Sequence, residues 1–316
     1  MNRLLAIGIL SAFFFSSTFV LNRAMSLQGG HWVWTASLRY VYMLVLLSLW
    51  LLVTRQVTVL TGAVREFHTH CLFWTAAGSI GFGVFYALLS FSASFAPGWV
   101  VATTWQATIL ASPLVLLIFG KRVPARGMLF TALIFIGIVL VTVEQATSSS
   151  LKEILFGSLA IMVAAFAYPL GNQLVWEARH GTSARVPHID GPVIDNSIGR
   201  VLLMVMGSLP FWIALIVVTN PPAPSTGQLL TTAIVAVFSG VVATSLFLKA
   251  RHHASTPYEL AAVDSTQSTE VLFALLGEIM FLHGSFPGVT ASAGIVAVVA
   301  GLILYVHAQA TVREKC

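Results

Sequence analysis

Ten apolar stretches of about 20 residues follow one another along this chain, and a run of that length crosses a hydrocarbon core of about 30 Å as a helix. They lie at 4–23, 32–53, 71–94, 98–119, 127–144, 154–176, 195–219, 228–250, 257–281 and 289–309. The alternating polarity of membrane-barrel strands is absent, so helices that satisfy their own backbones are the expected solution. The expected fold class is all-α integral membrane, without a soluble domain or a Ser/Gly-rich linker. The opening "MNRLLAIGILSAFFFSSTFVLNRAM" has the basic start and apolar core of a secretory signal. Its run from Leu4 to Leu21 is too long for one and no small-residue cleavage site follows cleanly, so it reads as an uncleaved first helix.

Composition agrees: 57% of the residues are hydrophobic and 9% charged, against roughly 25% charged in a soluble domain. A formal charge of +5 invites a nucleic-acid reading, but that needs clustered Lys and Arg, and here they are scattered between apolar runs. Alternate connections collect them instead. Arg3, Arg55, Arg65, Lys121, Arg122, Arg126, Arg179, Arg185, Lys249, Arg251, Arg313 and Lys315 fall on one side, and only Arg23 and Lys152 on the other. The positive-inside rule then predicts a multi-pass protein of a bacterial-type cytoplasmic (inner) membrane with both termini cytoplasmic. Cys71 and Cys316 offer neither a disulfide framework nor a metal spacing, and no cofactor is expected.

Comparison of residues 1–150 with 151–316 brings out an internal repeat. "FVLNRAM" sits against "PLGNQLVW", pairing Asn22 with Asn172; "SLRYVYMLVLLSLW" against "SIGRVLLMVMGSLPFW", pairing Arg39 with Arg200; "TTWQAT" against "DSTQST", pairing Gln106 with Gln267; and "FIGIVLV" resembles "VAGLILY". Five spans per half put the second half into the membrane upside down. Inverted five-helix repeats, 1–150 and 151–316, are an architecture of secondary transporters with substrate held near the midplane.

With the segments "FFFSSTFVLNRA", "LRYVY", "ASPLVLLIFGKR", "AAFAYPLGNQ" and the "GE" at Gly277-Glu278, the chain resembles the ten-helix branch of the drug/metabolite transporter superfamily. "YPLGNQ" and "GSLPFW" are most similar to its multidrug resistance efflux transporter family. The resemblance covers essentially the whole chain and implies a fold and a transport role better than a substrate. One position departs from the pattern: where that family's fourth helix ends in Gly-Glu, this chain has Gly120-Lys121, so no role for that carboxylate carries over.

Polar groups at bilayer depth are costly and functional by default. On an unbroken helix at 100° per residue, Asp264, Gln267, Glu270, Ala274 and Glu278 share an arc of about 120°, so the ninth segment is expected to line a central cavity. Ser265, Thr266, Ser268 and Thr269 are expected to bond their own helix carbonyls. The repeat places Arg39 and Arg200 at similar depths from opposite faces, and depth alone suggests Glu270 as partner of Arg39 and Asp264 as partner of Arg200; an anion clamp is the alternative role for the arginines. Trp105, Gln106, Tyr168, Asn172 and Gln173 complete the candidate set, an aromatic wall with a few fixed polar groups. "EFHTHC" and "ARHHAS" read as solvated cytoplasmic loops rather than metal sites.

The expected function is secondary transport that exports a small organic molecule, with a ninth-segment carboxylate exchanging a proton for substrate. A metabolite exporter or facilitator for an amino acid, nucleoside or similar compound, without obligatory proton coupling, is the alternative. No Walker A pattern offers ATP as the energy source. An intramembrane enzyme would need a nucleophile-base pair or a metal cluster at matching depth, and no His lies deep in a span, so the chain is not expected to be an enzyme. A receptor or scaffold fits a polar cavity helix poorly. The expected partners are a small-molecule substrate, a proton and the lipid bilayer, with no nucleic acid, in a monomer or homodimer.

Overall fold

The structure, a computed structural model, describes residues 2–121, 125–148, 150–181, 183, 185–254 and 257–313. Arg122, Lys315 and Cys316 lie outside them. The described residues form helices and no strands: α1 (Asn2–Leu27), α2 (Trp32–Val53), α3 (Val57–Thr69), α4 (Cys71–Ser92), α5 (Gly98–Ile118), α6 (Ala125–Ser148), α7 (Leu151–His180), α8 (Pro192–Asp195), α9 (Ser197–Thr219), α10 (Thr226–Arg251), α11 (Pro257–Ser265), α12 (Thr269–Leu282) and α13 (Val289–Arg313). Among the described residues nine helices are long and apolar enough to cross a membrane. The tenth apolar run is present as α11 and α12 joined by a 3-10 turn, Thr266–Ser268. Helix starts carry side-chain caps where the sequence supplies them: Asn196 accepts from the amides of Ile198 and Gly199, Ser225 from Gln228, and Ser150 with Glu153 forms a capping box.

The α-helical ladder is interrupted at five places among the described residues. α4 contains a π-helical stretch at Ser79–Val84, α7 one at Leu155–Leu159 and α10 one at Ala236–Ala243. α5 loses its ladder after Trp105 and resumes at Thr108. The 3-10 turn between α11 and α12 has a local cause. Ser265, Thr266, Ser268 and Thr269 each donate to the carbonyl three residues back, at 2.6 to 2.8 Å, and such bonds favour the tighter winding.

α1 packs on α12 and on the π stretch of α10, while α7 packs on α5 and on the π stretch of α4. α2 lies against α10 and α9 against α4; α2 and α9 meet each other, and α6 and α13 form the most extensive pair. Helices approach closely where glycine faces glycine. A Cβ on Gly207 would strike the Trp74 carbonyl, and one on Gly137 would strike the Gly294 carbonyl, the small-residue device that lets membrane helices associate without a hydrophobic driving force. Contacts sort the helix ends into two faces. The end of α1, the start of α5 and the end of α12 meet around Arg23, Gly98 and Glu278; the ends of α5 and α7 meet at Lys121 and Glu177, and those of α10 and α11 at Arg251 and Asp264. The second, basic face also carries α3. Its Gly62 touches Val193 of α8 and its preceding Gln56 accepts from Asn196, while Val57 and Val64 are exposed.

Candidate functional site

Arg39 lies one to two turns inside α2, about 10 Å from its start, and is 9% exposed. Its Nη1 donates to Thr18 Oγ1 (3.1 Å) and its Nη2 to Ser239 Oγ (2.9 Å). Thr18 in turn donates to Ser239 at 2.7 Å, which leaves lone pairs of both hydroxyls for the guanidinium. The guanidinium carbon stands 4.2 Å from the centre of the Tyr86 ring. Tyr86 exchanges hydrogen bonds with Asn22, which also reaches Ser90. The Arg39 Nε is buried and has no acceptor.

From Tyr86 an aromatic chain leads away. Phe85 packs on Trp105 (4.8 Å between centroids) and on Tyr168 (4.9 Å), and Trp105 meets Tyr168 edge to face at 5.5 Å. Tyr168 lies within Coulombic reach of Glu270, Arg251 and Arg39 and is 36% exposed. Glu270, on the first turn of α12, is buried and makes no hydrogen bond or ion pair among the described residues. Gln106 is buried at the interruption of α5 and bonds the Ala102 carbonyl. Gln267 lies within the 3-10 turn, its Nε2 buried without an acceptor.

The structure therefore brings Arg39, Trp105, Tyr168 and Glu270 into one interior region. It does not form the two ion pairs suggested by depth. Arg39 is held by hydroxyls from α1 and α10, the helices that flank α2 at that level, rather than by Glu270. Arg200 is shallower than the sequence suggests, because Asn196 caps α9 and the helix begins at Ser197. Its guanidinium reaches the Ile194 carbonyl (2.6 Å), the Asp195 carbonyl and Ser197 Oγ, closing the C-terminus of α8. Asp264 takes Arg251 instead, at 2.6 Å, with both side chains partly exposed. Along the helix axis, at about 1.5 Å per residue, the polar positions lie at different depths, with Asp264 toward the basic face beside Arg251, Glu270 inside and Glu278 at the other face beside the Gly98 amide. Asn172 bonds its own helix at the Tyr168 carbonyl, and Gln173 donates to Glu177 at 2.8 Å.

Two features escaped the sequence reading. Fully buried Glu177 accepts from Lys121, 3.2 Å away, and Lys121 also stands 4.8 Å from the Trp176 ring centre. The carboxylate missing after Gly120 is thus replaced by its opposite charge, held by an acid on α7; the departure at Lys121 was the available signal. At the other face Glu278 accepts from the Gly98 amide at 2.9 Å, and Arg23 donates to the Ala93 carbonyl at 3.0 Å.

A match over residues 2–311 to the family described as "EmrE: Putative multidrug resistance efflux transporter" places this interior in context. The chain belongs to this family. It is 37% identical to "Uncharacterized protein YjlA" of Bacillus subtilis (strain 168), covering 98% of this chain and 96% of that protein. It is 38% identical to "Uncharacterized 42.1 kDa protein in intracellular alkaline protease 3'region" of Shouchella clausii, covering 84% and 69%. A solved structure described as "Crystal structure of protein" shares the fold, with a TM-score of 0.59, 13% identity and 96% of each chain covered. Membership of the EmrE family, together with the apolar helices, makes this a multi-pass membrane protein with a transporter role, a small-molecule substrate and lipid surroundings.

Proposed function

We propose that the protein is a secondary transporter that exports a small organic molecule by proton antiport and alternating access, with Glu270 as the proton-carrying group. The observation that carries this reading is Glu270 itself, buried on α12 with neither hydrogen bond nor ion pair among the described residues. A bare carboxylate in such a place costs several kcal/mol, about what protonation removes. Asp264, already paired with Arg251 near the basic face, suits the role less well.

Ten spans in two inverted halves, 1–150 and 151–316, complete the proposal. Helix neighbours support it, because exchanging the first five spans for the last five maps several of the larger helix contacts onto one another. α1 on α10 corresponds to α7 on α4, α1 on α12 to α7 on α5, and α2 on α10 to α9 on α4, while α6–α13 and α2–α9 map onto themselves. The aligned Gln106 and Gln267 both fall where a helix is interrupted, and the π stretches recur in α4 and α10. The basic face then lies in the cytoplasm of a bacterial-type inner membrane. Interrupted helices at the midplane of inverted halves are where transporters of this architecture bind substrate, which brings Trp105, Gln106, Tyr168 and Gln267 into the substrate path.

The test is proton-driven uptake into proteoliposomes. Glu270→Gln is expected to abolish accumulation driven by a pH gradient while counterflow exchange of substrate persists, and Asp264→Asn to leave accumulation within about twofold. Undiminished accumulation by Glu270→Gln would remove that residue from the coupling mechanism.

A further inference from the structure

We propose that Arg39 is the binding group for an oxyanion on the transported molecule, so that the substrates are organic carboxylates or phosphates with an apolar or aromatic body. The proposal rests on the transport reading above and adds a substrate class to it. Four observations carry it. First, Arg39 is nine-tenths buried, and its hydrogen-bond and ring partners among the described residues are neutral: two hydroxyls and a phenol ring. Hydroxyl dipoles orient a guanidinium but leave its charge uncompensated, and a buried arginine that serves only to hold helices together is ordinarily paired with an acid. Second, the donor count is incomplete. Guanidinium carries five N–H groups in a fixed fork, and Nε has no acceptor, so hydrogen-bonding capacity remains unused in a place where water is scarce.

Third, Glu270, a buried carboxylate with neither hydrogen bond nor ion pair among the described residues, does not pair with Arg39. Fourth, the chain of rings from Tyr86 through Phe85 to Trp105 and Tyr168 begins at the guanidinium. A molecule with its oxyanion on Arg39 would lay its apolar body along those faces. Thr18 and Ser239 come from α1 and α10, and Arg39 from α2, so the anion would also draw three helices together, a differential contact that can bias one conformation over another.

Binding of phenylacetate, phenyl phosphate, the neutral isostere phenylacetamide and tetraphenylphosphonium to the full-length protein in nanodiscs, read by calorimetry, tests the class. Wild type is expected to bind at least one of the two oxyanions and to bind phenylacetamide about ten- to a hundredfold more weakly than phenylacetate, the value of a charge-assisted bond. Arg39→Gln should remove the discrimination, and Arg39→Lys should restore part of it. The acid-amide comparison needs no mutation, so it stands even where Arg39→Gln fails to fold. Equal binding of acid and amide, or no binding of either oxyanion, overturns the proposal. Proton-driven flux of tetraphenylphosphonium through the wild type, without flux of either oxyanion, would overturn it while leaving the transport reading intact. Oxyanion binding without flux of any probe would do the reverse.

Discussion

The two halves of the molecule share several backbone irregularities but not their side-chain environments, and one irregularity, the π stretch Leu155–Leu159 of α7, has no counterpart in α1. Gln106 and Gln267 both sit where a helix loses its regular ladder, and α4 and α10 both contain a π stretch. The polar pairs at matching sequence positions differ at every point. Arg39 is buried against Thr18 and Ser239, whereas Arg200 ties down the carbonyls of a four-residue helix near the basic face. Asn22 is buried and bonded to Tyr86 across helices; Asn172 is exposed and bonds its own backbone. α5 ends in a cation and α12 carries an acid near its end. Backbone interruptions depend on how helices cross, which both halves share. Polar partners depend on single side chains, each free to change once the duplicated halves take different tasks.

The charge-exchanged ends provide the largest expected effect. Lys121→Ala removes a cation from fully buried Glu177, and breaking a buried pair on one side costs about 3 to 5 kcal/mol. Glu278→Gln keeps an oxygen for the Gly98 amide and should cost about 1 kcal/mol. Thermal unfolding in detergent reads both, and equal losses would erase the distinction between the two ends.

Arg200→Ala comes next. It forfeits three hydrogen bonds from a charged donor that is only half-buried, so a loss of about 2 kcal/mol is expected, with faster amide exchange in residues 192–196 and unchanged ligand binding. Loss of binding as severe as that of Arg39→Gln would make the two arginines functional equivalents after all.

The smallest effect belongs to the Asp264–Arg251 pair, which is partly exposed on both sides. A double-mutant cycle with Asp264→Asn and Arg251→Gln should give a coupling below about 1 kcal/mol. A coupling of several kcal/mol would mean that the pair is desolvated and acts as a closure of the basic face.

Much of the fold was legible because apolar length is a local property. Nine of the ten apolar runs are helices long and apolar enough to cross a membrane, within a few residues of their expected limits although α5 is broken after Trp105, and the other is present as α11 and α12 joined by a 3-10 turn. α3 was missed because its amphipathic run is too short and polar to be read as a span, and α8 because four residues carry little periodic signal. Of the candidate site, sequence singled out Arg39, Trp105, Tyr168 and Glu270, which the structure brings to one region. It mispaired Arg39 with Glu270 and Arg200 with Asp264, since estimated depth says nothing about which neighbour stands beside a side chain.

By itself the sequence determined that the chain is a bundle of apolar helices carrying a few costly polar groups, because the bilayer judges each stretch by its own length and charge. The tertiary structure decided which of those groups meet. Arg251 at the end of α10 takes Asp264 while Glu270 stays buried on α12, and the contact of α1 and α10 with α2 gives Arg39 two hydroxyls where a carboxylate was expected. Such choices rest on helix crossings between residues some 200 positions apart, a distance over which no local pattern carries information.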